Sequence, residues 1–335
     1  MKIFVPFSLR DIGGPSSFVR KFKAGMERLG HTVTFEEADG YDILFVIVQA
    51  PFSILIRAKR NKKPIVQRLD GVYYWSVASW MFLLLNLKAA LVRHFFADYS
   101  IYQSEYSQYC VEKFLGRKHN ESSAIIYNGV DTERFSPGPT DINLRDTPEQ
   151  KVFFTASEFR RKDQLIPLLE VLTLYAKRYG ANSFTFAVAG SFSRELSDFP
   201  TSFEQYPWVK FLGKVPNEEL PRYERAADVF LFTHLNPPCP NNILEAMSCG
   251  LPVCGIADGA MNELVVHGES GLLINTPGDA FWHVRHYDTR AFVNNLCMLM
   301  KEQTLFSEKS RSQAMNYFSL EHMLDDYETT FQKVL

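Results

Sequence analysis

Long apolar runs are missing from these 335 residues. The most apolar stretch, residues 75–92, is interrupted by Asn86 and Lys88. A membrane-spanning helix needs about 20 nearly uninterrupted apolar residues, so this segment reads as a buried or interfacial helix. Cysteine is scarce: Cys110, Cys239, Cys249, Cys254 and Cys297 form no Cys-x-x-Cys pair and no zinc spacing with histidine. That argues against a disulfide framework and a zinc module. With an odd cysteine count and a strand-like start in place of a leader, a reduced, cytoplasmic chain is expected. Net charge is almost absent, at -2, and nucleic acid is not expected as a partner. There is no repeat and no low-complexity tract. No Gly-x-Gly-x-x-Gly follows the first strand, which disfavours a dinucleotide-dependent oxidoreductase. No clustered Asp-x-Asp stands in the loops, so no metal is expected.

What is present is ordinary globular composition, 46% hydrophobic and 22% charged, in a chain long enough for two cores. The charge is unevenly spread. Residues 1–140 hold 18 Lys+Arg against 13 Asp+Glu, net +5; residues 141–335 hold 18 against 25, net -7. A basic first half suits an anionic acceptor or a membrane face, or is a chance surface distribution. The basic run 57–63 reads as a solvated helix end in preference to a lipid-facing patch. Short apolar runs alternate with helical patterns throughout, which predicts α/β architecture. The polar, Pro-containing segment 136–150 reads as a linker.

The chain is organised around residues 228–275. An apolar run at 228–233 predicts a buried strand. The loop Asn236-Pro237-Pro238-Cys239-Pro240 leads to a helix capped by Asn241 or Asn242 and ended by Gly250. A second apolar run, 251–256, leads through Asp258-Gly259-Ala260 to another short helix. Two strand–loop–helix units therefore bring helix N-termini to the carboxyl edge of a parallel sheet, where ligands bind and phosphate is favoured. Glu245 lies one turn into the first helix and leans back toward its N-terminus. It reads either as an acceptor for a ribose diol or as a solvated helix residue.

Further cleft positions are expected at other strand ends. Gly13 and Gly14 form the turn between the first strand and a helix from about residue 16 to 29. Asp70, before Gly71, reads equally as a turn residue or a site residue. Arg160, Arg161 and Lys162 form a basic loop after a strand at 152–156 and before a helix at 163–179. Gly190 closes a strand at 184–189, and Asn217 is expected to cap the next helix.

The segment Asn242-Ile243-Leu244-Glu245-Ala246-Met247-Ser248-Cys249-Gly250-Leu251-Pro252-Val253, with Gly259, Glu263, Gly268 and Gly271-Leu272-Leu273, resembles the donor-site signature of glycosyltransferase family 4. Asn128-Gly129-Val130-Asp131 resembles that family's interdomain motif. The resemblance implies a GT-B fold: two Rossmann-like domains facing across a cleft. Residues 1–140 would be the acceptor-side domain and 141–319 the nucleotide-sugar domain, with 320–335 crossing back as a final helix. It implies a retaining transfer from a nucleoside-diphosphate sugar to a glycan, lipid-linked or other hydroxyl acceptor, without a resident cofactor or metal. Asp70, Arg161 and Lys162 would be catalytic. Gly13, Gly14, Gly190, Asn241, Asn242, Ile243, Glu245, Gly259 and Ala260 would bind the donor. A peripheral membrane contact through the first domain is part of the same expectation.

The sequence departs from the pattern in two places. The family usually carries two glutamates eight positions apart; Glu245 matches the second, and Pro237 stands at the first. Ser157 stands where the family has an arginine. The rival reading is a chain that binds a nucleotide sugar without turnover.

Overall fold

The computed structural model describes residues 1–9, 14–37, 40–74, 80–276, 281 and 287–335, without the side chains of 80, 81 and 195. The chain forms two compact units: Met1–Gly129 with Phe318–Leu335, and Val130–Tyr317.

The first unit contains β1 (Lys2–Phe4), α1 (Gly14–Arg28), β2 (Thr32–Thr34), β3 (Ile43–Ile47), α2 (Phe52–Arg60), β4 (Ile65–Leu69), α3 (Trp80–Phe95), β5 (Tyr99–Tyr102), α4 (Glu105–Leu115) and β6 (Ser123–Ile125). Its six strands are parallel, in the order β2-β1-β3-β4-β5-β6. Every residue of β3 and β4 is buried. A sheet covered on both faces needs apolar runs rather than alternation, and Ile-Leu-Phe-Val-Ile in β3 supplies one.

The second unit contains β7 (Lys151–Phe159), α5 (Ile166–Tyr179), β8 (Phe184–Phe192), β9 (Val209–Gly213), α6 (Leu220–Arg225), β10 (Val229–Phe232), α7 (Asn241–Ser248), β11 (Val253–Ala257), α8 (Met261–Leu264), β12 (Gly271–Asn275), α9 (Thr289–Lys301) and α10 (Gln303–Tyr317). Its parallel strands run β12-β11-β10-β7-β8-β9. From β7 the chain moves outward on one side, and from β10 outward on the other. The crevice at the carboxyl ends of these two neighbours is therefore the switch point where such sheets bind ligands.

The last helix, α11 (Leu320–Val334), belongs to the first unit. Its Tyr327 and Phe331 pack on Phe22 and Phe45, with ring centroids 5.3 to 6.1 Å apart. These rings are fully buried, and burying each contributes roughly 1.5–3 kcal/mol. The units divide at Gly129/Val130, eleven residues before the sequence-based boundary at 140/141. The reason is local. Arg311 donates to the carbonyls of Thr132 and Phe135, and Arg225 to that of Ser136, so residues 130–136 are tied to the second unit.

Several expected bounds change. β7 runs nine residues rather than five, and β8 extends through Gly190 to Phe192, paired with β7 throughout. Gly190 is thus inside a strand and not a turn. A Cβ there would lie 1.8 Å from the Ser157 carbonyl oxygen. The helix expected from 163 begins at Ile166, after a 3-10 turn at Lys162–Gln164, with Pro167 in its first turn. β12, the outermost strand on that side, was not anticipated.

Candidate functional site

The loop leaving β7 carries three cations with different fates. Arg160 pairs with Glu158 at 2.7 Å, and Arg161 donates from Nε to Asp163 at 2.8 Å. Lys162 is exposed and has no hydrogen bond or ion pair among the described residues. A paired guanidinium has much of its charge offset locally, whereas Lys162 keeps its full charge for an anion. Ser157, at the family arginine position, lies inside β7.

Across the switch point, the loop after β10 enters α7. Neither asparagine caps that helix. Pro240 occupies the cap position without a side-chain bond, and Asn241 is already helical. Asn242 instead donates to the Ala156 carbonyl at 2.7 Å, pinning the helix start to β7. The first backbone N–H groups of α7 thus have no side-chain cap, an arrangement suited to an anion. Ile243 and Glu245 are buried, Glu245 at 5% exposure. Its carboxylate accepts from the Asn217 amide at 3.3 Å, and Asn217 accepts from Arg134 at 2.8 Å. Asn217 therefore orients Glu245 rather than capping α6, whose cap is Glu219. Glu245 is not a solvated helix residue.

The loops after β10 and β11 are joined. The Pro237 carbonyl accepts from the Ala260 N–H at 2.8 Å, and the Asn236 N–H donates to the Asp258 carboxylate. Gly259 has φ +61° and packs on Pro237 so closely that a Cβ would lie 2.5 Å from its carbonyl oxygen. Glycine is required there on both counts.

In the first unit, Asp70 follows β4 and is ion-paired with the buried Arg68. Arg68 also donates to Asn128 at 2.8 Å and stacks 3.6 Å from the Phe18 ring. Gln103 donates to the Asp70 carbonyl. Burial raises the Asp70 carboxyl above its usual range, against the opposing pull of Arg68. Gly14 opens α1, and no atom of the described residues lies within 4 Å of where its Cβ would be. Gly13 lies outside the described residues. Among the described residues, no group of three His, Cys, Asp or Glu could hold a metal ion.

Three participants carried no sequence signal. Gln164 accepts the N–H groups of Arg160 and Arg161 on Oε1, at 2.7 and 3.0 Å, and its Nε2 contacts His234 Nδ1 at 3.1 Å. Burial pushes the His234 ring down to about 4, so it is neutral at physiological pH. Behind Glu245, Glu224 is 1% exposed and accepts from the Cys249 thiol at 3.1 Å. Burial first, then the nearby Glu245 charge, pushes Glu224 up to about 8.

Residues 149–301 match the family model described as glycosyl transferases group 1. Among curated proteins, the amylovoran biosynthesis glycosyltransferase AmsK of Erwinia amylovora is 28% identical over 167 residues, 48% of this chain and 40% of AmsK. The matched region spans less than half the length of the curated relatives. Among solved structures, Anabaena HepE in complex with UDP and glucose aligns with a TM-score of 0.74 at 20% identity, covering 99% of this chain and 100% of HepE. Sucrose-phosphate synthase from Thermosynechococcus elongatus gives 0.75 at 14%, over 99% and 98%. At these identities the likeness concerns the fold, and that fold is GT-B. Two parallel six-stranded sheets on that plan, with residues 149–301 matching the group 1 glycosyltransferase model, make the second unit of this chain similar to those enzymes.

Proposed function

We propose that the chain transfers a sugar from a nucleoside-diphosphate sugar to a hydroxyl acceptor with retention of configuration. The observation that carries this reading is the joint position of Lys162, the uncapped start of α7 and the oriented Glu245 on one unit, next to one switch point. Lys162 and the α7 N–H groups would take the diphosphate, and Glu245 the ribose hydroxyls. Asn241, Asn242, Ile243, Gly259 and Ala260 would shape the donor pocket. UDP-glucose is the first donor to try, because HepE was solved with UDP and glucose.

In the reaction, the bond from the anomeric carbon to the diphosphate oxygen breaks while the acceptor oxygen bonds on the same face. The acceptor proton passes to the leaving phosphate oxygen. Developing charge on the diphosphate is met by Lys162 and backbone N–H groups, so no metal is required. Asp70, in the unit proposed to present the acceptor, would hold an acceptor or donor hydroxyl. A glycan or lipid-linked acceptor fits the basic first half and the exposed Leu84, Leu87 and Phe95 of α3, which also suit a peripheral membrane contact. Among the described residues no helix is long and apolar enough to cross a membrane.

The test is a thermal-shift screen of UDP-, GDP- and ADP-sugars followed by transfer assays with the donor that binds. A donor at about 100 times its dissociation constant stabilises the fold by roughly 2.7 kcal/mol. Binding with neither transfer nor hydrolysis against an acceptor panel would favour the non-catalytic reading.

A further inference from the structure

The tautomer of His234 can be read from its neighbours. Gln164 Oε1 accepts two backbone N–H groups, from Arg160 and Arg161, and this fixes which end of the amide is oxygen. The other end, Nε2, stands 3.1 Å from His234 Nδ1. An amide nitrogen only donates, so Nδ1 presents its lone pair, and the proton of the neutral ring is on Nε2. The ring is held between Phe232, stacked at 4.6 Å, and Phe159, edge-on at 6.2 Å. Thr233 adds a hydrogen bond to the Gln164 carbonyl at 3.1 Å. Nδ1 is thus engaged, while Nε2 makes no hydrogen bond among the described residues, and the residue as a whole is half-buried. The result is a rigid N–H donor at the carboxyl end of β10, joined through Gln164 to the loop that carries Lys162.

We infer that His234 binds the donor diphosphate: its Nε2–H donates to a non-bridging phosphate oxygen from the β10 side of the switch point, while Lys162 acts from the β7 side. This rests on the donor reading above. The charged groups facing the ring are Asp163 and Arg161, which are paired with each other. The ring therefore acts as a neutral donor, and its contact should not titrate near pH 6.5.

The experiment compares His234→Ala, His234→Asn and His234→Gln by calorimetry with UDP, GDP, uridine, guanosine and inorganic pyrophosphate. A glutamine amide places an N–H near the Nε2 position; an asparagine amide reaches only the Nδ1 position. Alanine and asparagine should weaken the diphosphates about tenfold to a hundredfold, the scale of one hydrogen bond to a charged group. Glutamine should hold affinity to within about twofold, and the nucleosides should be unaffected. In parallel, ring 15N spectra of the wild-type chain should show the Nε2–H tautomer, with Nε2 shifting when UDP or pyrophosphate is added. Equal diphosphate affinity in wild type and alanine variant, or an Nδ1–H tautomer, overturns the inference. If pyrophosphate shifts Nε2 but no nucleotide binds, the donor reading fails and the His234 assignment stands.

Discussion

The Pro237 carbonyl and the Ala260 N–H meet at 2.8 Å, so Pro237 joins the two loops through its backbone. Gly259 sits between them in the left-handed region, with no room for a Cβ. Gly259→Ala should therefore destabilise the second unit by about 1–3 kcal/mol, the cost of such strain, and weaken donor binding as the loops separate. Chemical denaturation and calorimetry check the two effects. Wild-type stability in the variant would mean that the loops are not held together in this way.

Lys162→Ala removes the unpaired cation of the β7 loop. Diphosphate affinity should fall by about 1.5–3 kcal/mol, as for a charged hydrogen bond, with the melting temperature unchanged. Nucleoside affinity is the control. If nucleoside and diphosphate weaken by the same factor, Lys162 does not hold phosphate.

Glu245→Gln keeps the shape but replaces one acceptor oxygen with a donor. Donor binding should weaken by about 1.5–3 kcal/mol. The loss should be much smaller for an analogue lacking both ribose hydroxyls, because the partner is already gone. A cycle of mutant and analogue measures the coupling. Additive losses would show that Glu245 does not touch the ribose.

Stability should depend on pH through Glu224 and His234. Glu224 moves from 4.5 up to about 8 on folding. Its contribution is full below pH 4.5 and is lost as pH rises to about 8. His234 moves from 6.5 down to about 4, so its contribution is full above pH 6.5 and lost as pH falls toward 4. The two oppose each other between about pH 4.5 and 6.5, and only the Glu224 loss remains from 6.5 to 8. Glu224→Gln should flatten that alkaline fall in melting temperature. An unchanged slope would show that Glu224 is already ionised in the folded chain.

Transfer should survive a chelator, since Lys162 and the α7 N–H groups are proposed to meet the diphosphate charge. Complete loss in EDTA, restored by manganese, would show that a metal carries that charge instead.

The hydrophobic pattern determined the α/β class and many elements: β10 lies within one residue at each end of the run expected at 228–233, and α1 covers most of the helix expected from 16 to 29. Such patterns are local and legible because a strand buried on both faces must be apolar throughout. β12 escaped because Gly271-Leu272-Leu273 is short and begins with glycine, and its pairing partner β11 lies elsewhere in the chain.

The sequence by itself also marked the stretch around Glu245 and the loop at Lys162, since a helix start and a run of cations are written in consecutive residues. It could not show that Asn242 reaches back to Ala156, or that Asn217 orients Glu245 instead of capping a helix. Nor could it reveal His234. An isolated histidine has two tautomers and a proton near neutrality. Only the fold sets the Gln164 amide against its Nδ1 from 70 residues away and encloses the ring between two phenylalanines. Helix and strand follow from neighbours in the chain. A hydrogen-bonded tautomer, a paired or unpaired cation and a buried acid beside another acid follow from neighbours in space, which only the folded chain brings together.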